Sequence, residues 1–122
     1  MLVTFDFQSD IPLYMQLRNQ VVIGIAQGKL VPGEQLPTIR ALAEESGINM
    51  MTVSKAYQLL KQEGYILTDR RSGTVVAPRQ KGVISEETIH GLRVLLSELQ
   101  VSGLSEKEVL TVCRKLYQEG TK

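Results

Sequence analysis

Gly47 stands between two short helical patterns, and this arrangement constrains the chain more than any other feature of it. Upstream, Thr38 follows Pro37 as a capping hydroxyl, and Ile39, Leu42 and Ala43 fall at i, i+3 and i+4, which predicts a helix over residues 39–46. Downstream, Asn49 is placed to cap a helix running to about Glu63, with Val53, Ala56, Tyr57 and Leu60 as its apolar stripe. A glycine between them takes positive φ at little steric cost, so the chain turns sharply there. Thr52, Ser54, Lys55 and Lys61 are left on the other face of the longer helix, toward solvent or a ligand.

The flanks complete a pattern. Asp10-Ile11-Pro12 reads as a capped helix start, and Leu13, Leu17, Val21 and Ile25, widened by Val22, form a stripe that Gly28 stops near Gln27. Pro32-Gly33 marks a loop before a short extended piece at Gln35-Leu36. After Gly64, residues 65–68 and 74–77 are rich in strand formers, and Arg70-Arg71-Ser72-Gly73 between them has turn chemistry, which predicts a hairpin with a basic tip. Helix, helix, turn, helix, hairpin is the winged helix-turn-helix order. The expected class is therefore α+β, mainly helical.

Beyond a polar, basic linker, Ser85 with Glu86 and Glu87 starts a fourth helix whose Ile89, Leu92, Leu95, Leu96 and Leu99 share one face. Gly103 breaks it. Ser105 and Glu108 form the Ser-x-x-Glu capping pattern of a fifth, in which Val109, Val112, Cys113, Leu116 and Tyr117 repeat at helical spacing. The division expected is a winged domain over residues 1–78, a linker over 79–84 and an α-helical dimerisation tail over 85–122. Two short helices bury little alone, whereas two tails pairing about a two-fold axis bury Ile89, Leu92, Leu95, Leu96, Leu99, Val109, Val112 and Leu116.

Charge decides which surface meets a ligand. The net charge of +1 is weak for a nucleic-acid binder, but its distribution is uneven. From Gly47 to Gln62 there are Lys55 and Lys61 and no acid; from Arg70 to Lys81 there are Arg70, Arg71, Arg79 and Lys81, again without an acid. The major groove of DNA admits a helix, and the N-terminal residues of the second helix of a helix-turn-helix enter it. Asn49, Met50, Met51, Thr52, Ser54 and Lys55 are thus the candidate readers. Thr38 and Arg40 at the preceding helix start, and Arg70, Arg71, Ser72, Gly73 and Thr74 at the hairpin, are candidate backbone contacts.

The matching text is specific. Pro12-Leu-Tyr-Met-Gln-Leu17, the run from Gly28 to Ala43, Thr52-Val-Ser-Lys-Ala-Tyr57, the segment from Leu59 to Gly64 and Ser72-Gly-Thr-Val-Val76 together resemble the DNA-binding domain of the GntR family of bacterial regulators. The short two-helix tail resembles its YtrA-type branch, which implies dimerisation. By that resemblance Arg40 approaches a phosphate or base, the residues from Asn49 to Thr52 read the major groove, and those from Arg71 to Thr74 enter the adjacent minor groove. Family members commonly carry Arg or Pro, then Asn, where this chain has Met50 and Met51. No bidentate guanine contact can come from position 50.

These readings imply a sequence-specific regulator, a repressor that binds an inverted-repeat operator as a homodimer. Two others stay open from the residues: a winged module that binds protein without a DNA target, and a regulator with an effector, of unknown chemistry, near the tail helices. An enzyme is not expected, since no nucleophile elbow, Gly-rich phosphate loop or carboxylate pair occurs. Neither metal nor cofactor is expected, with His90 the only histidine and Cys113 the only cysteine, the latter set among apolar neighbours that favour packing. Without a signal peptide pattern or a long apolar run, a cytoplasmic location and no membrane partner are expected.

Overall fold

The computed structural model describes Met1 and residues 3–119, and the chain separates into two compact units, Met1–Arg79 and Gln80–Lys122. In the first unit α1 (Leu13–Ala26), α2 (Ile39–Ser46) and α3 (Met50–Gln62) precede an antiparallel hairpin of β1 (Ile66–Asp69) and β2 (Gly73–Val76). The second unit holds α4 (Glu86–Val101) and α5 (Glu106–Glu119). The architecture is a winged helix-turn-helix followed by two helices.

The core of the first unit is built by the stripes named above. Leu17 and Val21 of α1, Leu42 and Ala43 of α2, and Val53, Ala56, Tyr57 and Leu60 of α3 are buried together with Leu30, Leu36, Ile66 and Val76. Leu30 lies against Gly24, where an added Cβ would come within 3.2 Å of its Cδ1, so the glycine inside α1 lets the following loop fold back closely. The hairpin gains a third partner: Leu36 donates its N–H to Thr74 O at 2.8 Å, Gly33 to Val76 O at 2.8 Å, and Val76 to Glu34 O at 2.9 Å. The extended piece at Gln35-Leu36 is therefore an edge that ties the wing to the residues just before α2.

Several local expectations need correction. Asp10 does not cap α1; the helix starts behind Pro12 with no side-chain cap at all. Gln16 and Gln20, one helical turn apart, instead use their amides to bind an extended arm. Thr4 N–H donates to Gln20 Oε1 at 3.0 Å and Asp6 N–H to Gln16 Oε1 at 2.9 Å, while Val3 and Phe5 pack on the core. Both strands sit one residue from their predicted positions, and Gly73 belongs to β2 rather than to the turn, because Asp69 pairs with Gly73 and closes a three-residue tip. Cys113, on α5, is exposed rather than packed.

Capping elsewhere follows the residues. Thr38, Asn49 and Ser85 each accept an N–H of their helix's first turn. Ser105 and Glu108 exchange hydrogen bonds, Ser105 N–H to Glu108 Oε1 at 3.0 Å and Glu108 N–H to Ser105 Oγ at 3.2 Å. The bonds from Ser105 hold the Glu108 carboxyl below its ordinary range.

Tyr57 joins α3 to the loop before α2 by donating its hydroxyl to Pro37 O at 2.8 Å. Burial pushes that hydroxyl up to about 12. The folded state holds this proton more tightly than the unfolded chain, whose tyrosines titrate near ~10. Its contribution to stability is thus complete below pH ~10 and is lost as pH rises toward about 12. Tyr57→Phe should cost about 1 kcal/mol at neutral pH through the lost hydrogen bond. It should also flatten the alkaline decline, so urea midpoints at pH 7 and pH 11 should converge between variant and parent. An undiminished decline in the variant would assign it to another group.

Candidate nucleic-acid interface

The turn between α2 and α3 is the hinge of the site. Gly47 adopts φ 68°, and the N–H of Ile48 returns to Ala43 O, so α2 ends at Ser46 and only three residues separate it from the start of α3 at Met50. Asn49 Oδ1 accepts the N–H of Met51 at 2.7 Å. Its carboxamide oxygen is committed to the cap, which leaves the NH₂ as the end of the side chain with donors to offer.

With Val53, Ala56, Tyr57 and Leu60 turned into the core, the opposite side of α3 presents Met50, Met51, Lys55 and Gln58, all exposed, with Thr52 and Ser54 half-buried between them. Met51 is 78% exposed and Met50 48%, so neither thioether fills a gap in its own domain. Thr38 is exposed and caps α2 through its hydroxyl, and Arg40 follows it with a side chain 78% exposed, facing Glu44 only at a loose 4.0 Å. An exposed pair of this length holds the guanidinium weakly.

The wing tip is ordered by one carboxylate. Asp69 Oδ1 accepts the N–H of Arg71 at 2.7 Å and of Ser72 at 3.3 Å, and Gly73 closes the turn at φ 74°, a conformation that disfavours any Cβ. Arg70 and Arg71 are exposed, and Ser72 and Thr74 half-buried. Through the bonds of residues 33–36 to β2, the wing is fixed to the strand that leads into Thr38 and Arg40. The candidate residues of α2, α3 and the wing therefore all belong to one compact unit.

A second brace sets α3 against α1. Arg18 forks onto Glu63, Nε to Oε1 at 2.9 Å and Nη2 to Oε2 at 3.0 Å, and its guanidinium lies 5.5 Å from the Tyr65 ring centre. The hydrogen bonds to Glu63 raise the Arg18 pKa above its ordinary value.

Two residues at this surface were not singled out from the sequence. Gln58 lies three residues beyond Lys55 and seven beyond Met51, and the helical period alone puts it on their face. Tyr14 lies on α1, and the Lys55 ammonium rests 4.0 Å from its ring centre. That pairing depends on α1 packing beside α3, which local sequence does not encode. Among the described residues no group of three or more His, Cys, Asp or Glu could hold a metal ion, and no helix is long and apolar enough to cross a membrane.

Residues 13–76, more than half of the chain, match the family described as bacterial regulatory proteins, gntR family. The chain belongs to that family. Within it the chain is of the YtrA type: the HTH-type transcriptional repressor YtrA of Bacillus subtilis (strain 168) is 34% identical over 98 residues, which cover 80% of this chain and 75% of the relative. A structure described as a transcriptional antiterminator from Listeria monocytogenes EGD-e superimposes with a TM-score of 0.82 at 27% identity, covering 100% of this chain and 94% of its own. AraR(DBD), solved in complex with operator ORX1, matches with a TM-score of 0.54 at 29% identity, over 63% of this chain and 96% of its own. Two other relatives, described as HTH-type transcriptional regulators, are much longer, and the match spans only 14% of their length.

Proposed function

We propose that this gntR-family protein is a transcriptional repressor that binds an inverted-repeat operator as a homodimer. In this reading α3 lies in the major groove, while Arg70 and Arg71 on the wing meet the backbone and enter the adjacent minor groove. One observation carries it. A capped, acid-free helix exposes Met50, Met51, Lys55 and Gln58 beside the Arg40 and wing cations, in a domain of the same fold as one solved on its operator. Thr38, Arg40, Lys55, Arg70 and Arg71 supply affinity through phosphates. Asn49, Met50, Met51, Thr52 and Ser54 face the bases, with the methionines suited to thymine methyl groups rather than to guanine. Ser72, Gly73 and Thr74 shape the wing.

Homodimerisation is supported by the second unit. Ile89, Leu92, Leu95, Leu96, Val112 and Leu116 are all exposed within a single chain, Leu99 is half-buried, and only Val109 is buried. A pair of helices with that much leucine in water gains by covering it with a second copy, and one winged domain reads too few base pairs to select a site. Repression follows from size, because a small dimer seated over a promoter blocks polymerase without an activating surface. The protein acts on DNA in the cytoplasm.

Titration of the purified protein against its own promoter DNA, read by fluorescence anisotropy, tests the proposal. Preference over scrambled DNA at moderate salt is expected, with Arg40→Ala and Arg71→Ala each weakening binding by about tenfold, as loss of a charge-assisted contact does. Equal binding to scrambled DNA would refute it.

A further inference from the structure

The first turn of α1 and the exposed side of α3 form the walls of a groove of about 740 Å³, with Pro12 and Tyr14 on one wall and Thr52, Ser54, Lys55 and Gln58 on the other. Across it the Lys55 ammonium sits 4.0 Å from the centre of the Tyr14 ring. We infer that Tyr14 is a positioning residue for DNA binding, holding the Lys55 ammonium over this groove so that it meets a backbone phosphate. The inference rests on the DNA-binding reading above and deepens it by adding a residue of the first helix.

The argument turns on what an aromatic ring does to a cation. A lysine on a surface helix carries its charge on a four-carbon stem with free rotors, and ordering that stem on binding costs entropy. A carboxylate neighbour would order it but would also neutralise the charge that a phosphate needs. A ring orders it through its quadrupole and leaves the full positive charge. The groove has the composition this requires: α3 holds no acid anywhere along Met50–Gln62, and α1 has none in its first turn. The walls add donors to the cation, since Thr52 and Ser54 bring hydroxyls and Gln58 an amide. The start of α1, uncapped by any side chain, adds the positive end of a helix.

The test uses the full-length protein and an operator duplex located first by footprinting with the parent, titrated by anisotropy between 50 and 200 mM salt. Lys55→Gln should weaken binding and reduce the magnitude of the salt slope by about 0.9, the signature of one lost phosphate contact. Tyr14→Leu should weaken binding by about two- to fivefold, the range of an exposed cation–π contact, with Lys55 still present. Tyr14→Phe, which keeps the ring and removes the hydroxyl, should recover parental affinity. In the Lys55→Gln background Tyr14→Leu should do nothing further. The inference is overturned if Tyr14→Leu binds as the parent does, or if it weakens binding equally without Lys55, as a merely structural role would. It is also overturned if Tyr14→Phe is as impaired as Tyr14→Leu, which would assign the effect to the hydroxyl. Failure of the parent to prefer any duplex is a different result, seen before any variant is made, and it would reject the DNA-binding reading itself.

Discussion

Leu95→Glu combined with Leu116→Glu is expected to yield a folded monomer that binds its operator at least about a hundredfold more weakly than the parent. Leu95 is 58% exposed and Leu116 59% exposed within one chain, so a carboxylate at either position already reaches water and the single-chain fold loses little. Glutamate is also a good helix former, so α4 and α5 keep their propensity. Across a two-fold interface the same positions would bring four carboxylates into an apolar seam, which association cannot tolerate without unpaired buried charge. Loss of the dimer then removes the second winged domain from the complex. Linking two half-site contacts raises overall affinity by about 10²–10⁴ through effective concentration alone, and that factor is what the monomer forfeits. Sedimentation equilibrium gives the oligomeric state, and anisotropy on one duplex with two half-sites gives the affinity. A variant that stays dimeric, or a monomer that binds undiminished, would remove the tail from the recognition mechanism.

The sequence carried the elements well because their determinants are local. Thr38, Asn49, Ser85 and Ser105 cap the helices they were expected to cap, and Gly47 turns the chain where a positive φ was required. The stripe of α3 is buried residue for residue as its period dictates. Where the reading slipped, a distant partner decided. Asp10 has the right type and place for a cap, yet Gln16 reaches past it to Asp6 O and Ile11 O and holds the arm along α1 instead. The hairpin strands shifted by one residue toward the tip while keeping the pairing of residues 66–68 with 74–76, because Asp69, outside the expected strand, pairs with Gly73 and supplies the oxygen that binds the tip amides. In the interface, Gln58 was legible from its spacing to Met51 and Lys55, while Tyr14 was not, since its place opposite Lys55 exists only once α1 and α3 have packed. The apolar face of the tail was equally legible as a pattern, but its occupant is a matter of assembly, which no periodicity within one chain specifies.

Leu60→Ala should have the largest effect on stability, lowering that of the winged unit by about 2–5 kcal/mol. Leu60 is fully buried on the inner side of α3, in the cluster that contains Leu17 and Val21 of α1, Leu42 of α2, and Ile66 and Val76 of the hairpin. Alanine there removes most of a side chain from a packed site, and the surrounding helices, fixed by Arg18 to Glu63 and by Tyr57 to Pro37, have little freedom to close the cavity. For a domain whose total stability is of the order of 5–15 kcal/mol, such a loss is a large fraction. The damage reaches function directly, because the inner face of α3 sets how its outer face is presented. Urea unfolding followed by tyrosine fluorescence reports mainly on this unit, which holds Tyr14, Tyr57 and Tyr65 of the four tyrosines. The transition midpoint should fall steeply in Leu60→Ala, and saturating operator DNA should restore part of the loss, since DNA binds only the folded form. A shift worth less than about 1 kcal/mol would mean that the site collapses around the smaller side chain and that α3 is held mainly by its polar braces rather than by this core.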